Sequence, residues 1–234
     1  TFSRLLGSGS KYGVEFSYKV QSSPNGIAEA FLIGESFINN ENSALILGDN
    51  IFHGSGLGRQ LMDFTNPSGA HIFAYQVRNP SDYGVVEFDS TGIAISIEEK
   101  PLKPKSNYAI PGLYFYDKSV CDIAKSIKPS SRGELEISEV NAEYLRQGNL
   151  KVSVLPRGTA WLDTGNADSL HDASSYIKII EERQGSKVSC LEEIAWRQKW
   201  ISDLELEASA VEFKNSSYGD SLLKLLELGI GHDD

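Results

Sequence analysis

The apolar run "SALIL" (43–47), closed by Gly48, Asp49 and Asn50, constrains this chain more than any other stretch. A run so free of polar interruption suits a strand buried on both faces. It also delivers a carboxylate at a strand's C-terminal end, where open α/β sheets gather ligand chemistry. A second acid, Asp163 in "AWLDTG", follows another apolar segment. Two carboxylates brought from strand ends suit one divalent cation held against a phosphate. Gly-Asp-Asn is equally good turn chemistry, so the motif alone leaves both readings open.

The surrounding pattern sets the class. "VEFSYKV" (14–20) reads as a strand and "GIAEAFLIGESFI" (26–38) as a helix with apolar residues at helical spacing. After 43–49 come a helix at "GRQLMDF" and a strand at "AHIFAYQV" (70–77). This alternation predicts an α/β fold, a Rossmann-like and mostly parallel sheet with helices on both faces. "YGVVEFD", "GIAISIEEKP" and "YAIPGLYFYD" are strand-like segments joined by turns such as "DSTG", which predicts an antiparallel insertion over the mouth of the sheet. Helices follow at "KSVCDIAKSI" and "GELEISEVNAEYLRQG", then a strand at "LKVSVLP"; beyond Gly165 the chain reads as mostly helical. The expected division is an α/β domain over 1–184 and a helical extension over 185–234.

Composition narrows the partners. The 234 residues carry 22 Lys and Arg against 32 Asp and Glu, a net charge of -10, which disfavours nucleic acid and anionic membranes. No apolar stretch is long enough to cross a bilayer. Two cysteines, Cys121 and Cys190, fit no ligand spacing or disulfide framework, so a reducing cytoplasm is the expected setting. His53, His71, His171 and His232 show no spacing for a metal or a triad.

Six segments, "YKVQSSPNGIAEAF", "LILGDNIFHG", "YGVVEFD", "EEKPLKPKSNYAIPGLYFYD", "RGELEISEVN" and "AWLDTG", stand in the order found in the sugar-nucleotide pyrophosphorylases. The chain resembles that family, and most closely its thymidylyltransferase branch. The resemblance implies Mg²⁺-dependent nucleotidyl transfer from dTTP to glucose 1-phosphate, giving dTDP-glucose and pyrophosphate on the way to dTDP-rhamnose and related sugars. It implies Asp49 and Asp163 as Mg²⁺ ligands, with Asp49 also at the nucleotide. Gln21 would read the thymine edge through its amide, and Gly26 would let the backbone approach the nucleotide. Tyr83, Gly84, Glu99 and Lys100 would form the sugar-phosphate half, Glu99 accepting from glucose hydroxyls and Lys100 neutralising the phosphate. Ile110, Gly112 and Trp161 would line that pocket.

Some members of the family carry a second nucleotide pocket at a subunit contact, where the end-product sugar nucleotide inhibits. The matching residues here are His53, Gly54, Lys187, Val188, Ser189, Glu193, Ile194 and Arg197; equally, Lys187 and Arg197 read as ordinary helix-surface charges. The resemblance further implies a homotetramer. The family's opening strand and Gly-rich phosphate loop with its arginine have no counterpart in "TFSRLLGSGSKYG", which predicts an N-terminal truncation and a fragment that neither folds well nor turns over substrate. Three alternatives stay open: a uridylyl- or cytidylyltransferase of the same family, a non-catalytic nucleotide-binding fragment, and a metal-dependent glycosyltransferase using Asp49.

Overall fold

In a computed structural model, residues 2–229 are described. In chain order the elements begin with α1 (Phe2–Leu6), α2 (Glu29–Ile33), α3 (Glu35–Ile38), β1 (Ser43–Ile46), β2 (Asn50–His53), α4 (Leu57–Met62) and β3 (Ala70–Gln76). Then come β4 (Gly84–Phe88), β5 (Ala94–Glu99), β6 (Tyr108–Ala109), β7 (Leu113–Tyr116), α5 (Val120–Ser126), α6 (Ile137–Arg146) and β8 (Leu150–Val154). The last are β9 (Ala160–Asp163), α7 (Ala167–Gln184), α8 (Leu191–Arg197), α9 (Asp203–Glu212) and α10 (Ser217–Leu228). They divide into two compact units, one of Lys19–Ser169 and one joining the residues up to 18 with those from 170 onward. The sequence reading draws its boundary later, at 184/185.

The α/β unit is built on β3, whose side chains alternate as a strand's must. Ala70, Ile72 and Ala74 turn to one face and pack with Tyr114 and Tyr116 of β7, Phe31 of α2, Val120 and Ile123 of α5, and Val140 and Tyr144 of α6. Phe73 turns to the other face, among Leu57 of α4, Leu113, Phe115 and Leu155. Helices on both faces are therefore as expected, and each large side chain fully buried there contributes about 1.5–3 kcal/mol.

The pairings differ from a simple parallel sheet. β3 pairs in parallel with β8, but β7 lies antiparallel between β1 and β3. β1, β3 and β8 thus share one direction, and β7 is inserted against them. β4 and β5 form an antiparallel pair that joins the same sheet through β6, with Val85 and Tyr75 both opposite Ala109. β6 and β7 are two halves of one length of chain bent at Ile110, Pro111 and Gly112. Its one edge follows β3; its other edge meets β4 at the start and β1 at the end. β1 and β4 therefore diverge from a common edge, and a cleft opens between them at the bend.

Three local expectations are corrected. Residues 14–20 form no strand: alternation stabilises a strand only when a neighbour completes the ladder, and no ladder pairs this segment among the described residues. Val20 is 84% exposed. The helix expected over 26–38 is two short helices broken at Gly34. β1 is shorter than the apolar run and exposed at alternate positions, so one of its faces stays open; among the described residues it pairs along one edge only.

In the helical unit, Tyr12, Cys190, Ala195, Leu206 and Leu222 share a core. Ser202 caps α9 with a reciprocal bond to Glu205, satisfying two otherwise orphaned donors. Both cysteines are free and buried. No described helix is long and apolar enough to cross a membrane. His232 lies outside the described residues.

Candidate active site

Asp49 follows β1, and the next residue, Asn50, opens β2. β2 pairs antiparallel with β9, which sets Asn50 opposite Asp163. Thr164 fastens the crossing: its backbone N–H and its hydroxyl both donate to the Asp49 carbonyl, at 2.8 and 2.9 Å. The carboxylates converge beside Gly165. A Cβ on that glycine would lie 3.2 Å from Asp163 Oδ1 and 4.0 Å from Asp49 Oδ2. The Gly165 N–H donates to Asp163 Oδ1 at 3.1 Å. A bare glycine between two acids leaves a cradle that a methyl group would fill.

Oxygen donors of this kind fit Mg²⁺, which binds through one or two carboxylates and completes its shell with water and substrate phosphate. Among the described residues no group of three His, Cys, Asp or Glu is arranged for a closed metal site. The donor set thus suits a cation shared with a phosphate ligand and not a structural metal.

Asn50 links the acids to the bend. Its Nδ2 donates to Asp49 Oδ1 at 2.8 Å, and its Oδ1 accepts from the Gly112 N–H at 3.0 Å and from Trp161 Nε1 at 2.7 Å. Trp161 stands between Tyr75 and Tyr83, with ring centroids 5.6 and 5.0 Å away. Burial, aided by Asp163 and Asp82, raises the Tyr83 phenol above its ordinary range, so this wall is an aromatic face that stays neutral.

The opposite wall comes from β4 and β5. Gly84 faces Glu99 in the ladder. Its missing side chain makes room there, since a Cβ would lie 3.4 Å from Glu99 Oε2. The Gly84 carbonyl accepts from the Ile110 N–H at 2.8 Å, and the Tyr83 carbonyl from the Lys100 N–H at 3.0 Å. Lys100 sits at φ 41°, a left-handed conformation that a non-glycine residue rarely adopts and that is commoner at functional sites. Burial pushes the Glu99 carboxyl above the ordinary glutamate range; the Ser138 hydroxyl acts the other way and Glu136 adds to the rise. Burial, with Glu99 and Asp49 adding to it, pushes the Tyr114 phenol far up, which sets that ring within the field of both acids.

These walls enclose a cavity of about 220 Å³. Asp49, Tyr83, Gly84, Glu99, Lys100, Ile110, Gly112, Trp161 and Asp163 all line it, so the residues expected from sequence for the metal and the sugar phosphate meet in one place. Gln21 and Gly26 do not line it. The Gln21 amide donates to the Gly26 carbonyl at 3.0 Å and to Glu29 at 2.6 Å. Gly26, at φ 105°, lies so close to the Leu135 backbone that a Cβ would fall 2.3 Å from its carbonyl oxygen.

The residues expected for a second nucleotide pocket divide between the units, with His53 and Gly54 in one and Lys187, Val188, Ser189, Glu193, Ile194 and Arg197 in the other. Lys187 pairs with Glu181 at 2.7 Å and Arg197 with Glu193 at 2.9 Å.

Sequence reasoning missed several lining residues. Arg132 contributes a second cation, held by Glu134 at 2.8 Å and Glu136 at 3.3 Å. Ser138 and Asn141 line the cavity from α6. All three lie within or beside the "RGELEISEVN" segment, whose match to the family carried no residue-by-residue assignment.

The comparisons with known proteins agree with this geometry. A family model described as "Nucleotidyl transferase" matches residues 1–179. The glucose-1-phosphate thymidylyltransferase of Mycolicibacterium smegmatis is 59% identical over 226 residues, covering 97% of this chain and 78% of that protein. That of Neisseria meningitidis serogroup A is 52% identical over 228 residues, covering 97% and 79%. Among solved structures, a Bacillus anthracis protein provisionally named as a glucose-1-phosphate thymidylyltransferase, in complex with a sucrose, superposes with a TM-score of 0.66 at 38% identity, covering 74% of this chain and 70% of that one. With a family model matched over more than half its residues and relatives this similar along nearly its whole length, the chain belongs to the nucleotidyl transferase family.

Proposed function

We propose that this chain forms dTDP-glucose and pyrophosphate from dTTP and glucose 1-phosphate. What supports the reading most is that two acids fitted to Mg²⁺ and an acid–lysine pair line one cavity, in a chain 59% identical to an enzyme of that name. A phosphate oxygen of the sugar phosphate attacks the α-phosphorus of dTTP. The new P–O bond forms as the bond to pyrophosphate breaks, so positioning and charge neutralisation carry the catalysis.

Asp49 and Asp163 would hold Mg²⁺ beside the nucleotide phosphates. A bound Mg²⁺ supplies charge neutralisation at those oxygens. Lys100 and Arg132 offset the charge of the acceptor phosphate, which an acidic chain must do locally. Glu99 accepts from sugar hydroxyls, and Gly84 leaves the ring room beside it. Tyr83 and Trp161 wall the site and limit water. The base is read by Gln21 only if its amide leaves Glu29, since its donor is engaged there.

The product would feed dTDP-rhamnose and related deoxysugars, and the reaction would take place in the cytoplasm. The protein would act as a homotetramer inhibited by an end-product sugar nucleotide. The deciding experiment is pyrophosphate release by the whole protein with glucose 1-phosphate, Mg²⁺ and dTTP, UTP or CTP in turn. The expected order puts dTTP first. A preference of about tenfold for UTP or CTP, a gap of only about 1.4 kcal/mol, would assign the chain to another base.

A further inference from the structure

At the floor of the cavity, two buried polar groups lack partners. Asn141 is wholly buried and its Nδ2 meets no hydrogen-bond acceptor; Ser138, 4% exposed, closes no hydrogen bond through its hydroxyl. Ser138 lies close enough to Glu99 to favour the charged carboxylate, but the contact falls short of hydrogen-bond geometry. The two residues stand three apart on α6, hence on one face of that helix. Both line the cavity.

The Asn141 amide is held from behind. The Tyr116 phenol, itself fully buried, donates to Asn141 Oδ1 at 2.6 Å. With its oxygen held in this way, the amide is left with an Nδ2 whose N–H donors meet no acceptor. A buried donor left unsatisfied costs about 1–3 kcal/mol, so such groups persist where something completes them. Packing alone does not require them, since a phenylalanine at 116 with an apolar residue of the same size at 141 would carry no such cost.

We propose that Asn141 and Ser138 form a polar floor that binds one hydroxyl-type oxygen against Glu99, and that Tyr116 is the positioning residue that aims the amide. The oxygen is a sugar hydroxyl of the bound hexose phosphate or a resident water beneath it. Either source accepts from Asn141 Nδ2 and exchanges a hydrogen bond with Ser138, while donating to the Glu99 carboxylate. The proposal rests on the hexose-phosphate reading of the cavity and adds to it the residues that read the buried side of the ring.

The test compares the whole wild-type protein with Ser138→Ala and with Tyr116→Phe/Asn141→Leu, which removes the amide and its buried partner together so that neither is orphaned. We expect KM for glucose 1-phosphate to rise about tenfold or more, the scale of one buried hydrogen bond. KM for dTTP and the thermal midpoint should stay near wild type. Monodeoxy analogues of glucose 1-phosphate separate the two sources. If a sugar hydroxyl is bound, one analogue alone is disfavoured by wild type and loses that penalty in the variants. If a water is bound, the substitutions weaken every analogue alike. Folded variants with unchanged KM for the sugar phosphate, or with both KM values raised together, overturn the floor and leave the parent reading standing. A wild-type protein that turns over no hexose phosphate overturns the parent reading, and the floor with it.

Discussion

At the residue scale, the Gly165 cradle makes the sharpest demand. Gly165 has an ordinary negative φ, so alanine brings no backbone strain; its methyl simply occupies space beside both acids. Gly165→Ala should raise the Mg²⁺ concentration for half-maximal turnover while leaving the thermal midpoint unchanged. Asp163→Asn should do the same and lower turnover at saturating Mg²⁺ by on the order of a hundredfold, the scale of charge stabilisation by a bound metal. A Mg²⁺ titration of pyrophosphate release checks both, and an unmoved half-saturation point would remove these acids from the metal site.

Glu99 gives a prediction in pH. Its folded-state pKa lies above the ordinary glutamate value of 4.5, with burial as the first cause. The folded protein therefore holds that proton more tightly than the unfolded chain does. Its stabilising effect is complete below pH 4.5 and is lost as pH rises through the raised value. Glu99→Gln removes this dependence. The variant should be more stable than wild type at neutral pH, with the difference shrinking to nothing in acid. Thermal midpoints measured across that range decide it, and a difference independent of pH would discount the burial argument.

At the scale of elements, the bend between β6 and β7 depends on Gly112. Its N–H donates to Asn50, and its carbonyl accepts from the Leu47 N–H at 2.9 Å. A Cβ there would sit 2.6 Å from Leu47 Cγ and 2.8 Å from Leu47 Cβ, atoms too near the backbone to swing aside. Gly112→Ala should cost about 1–3 kcal/mol in overpacking, read by denaturant unfolding. Turnover should fall more than that loss explains, because the segment displaced beyond β1 runs from Leu47 to Asp49.

Elements were legible where periodicity was clean. β3, the β4–β5 pair and α6 stand where the pattern set them, and the chain beyond Gly165 is mostly helical as read. Pairing was not legible, because the period of a strand says which face is buried and nothing about its neighbour. "SALIL" read as buried on both faces although alternate residues of β1 are exposed, and the insertion of β7 between β1 and β3 left no local sign. The metal and sugar-phosphate residues were legible through family motifs, Asp49 by its strand end besides. Ser138 and Asn141 were not singled out, although two polar residues beside Ile137 and Val140, on a face that turns inward, are the kind of mismatch that marks a site.

At the scale of the whole molecule, apolar surface remains uncovered. β1 pairs on one side only among the described residues, Ile46 is 59% exposed, and Val20 lies more open still. Unpaired strand edges and exposed aliphatic side chains favour association. A solution of this 234-residue chain should therefore scatter light as a species heavier than the 25.7 kDa monomer. A monodisperse 25.7 kDa peak would count against the oligomeric reading and would mean that these surfaces are tolerated in water.

The divergence of β1 and β4 from one edge gives the catalytic cleft a modular character. On the proposed reading, the turn after β1 carries the acid that would serve the donor nucleotide, and β5, paired to β4, ends in the pair that would serve the acceptor. The bent segment between them works as a ruler that sets their separation. An engineer who exchanged the β4–β5 hairpin for a relative's, and left 108–116 untouched, would be swapping the acceptor cassette of a transferase while keeping its donor chemistry in calibration.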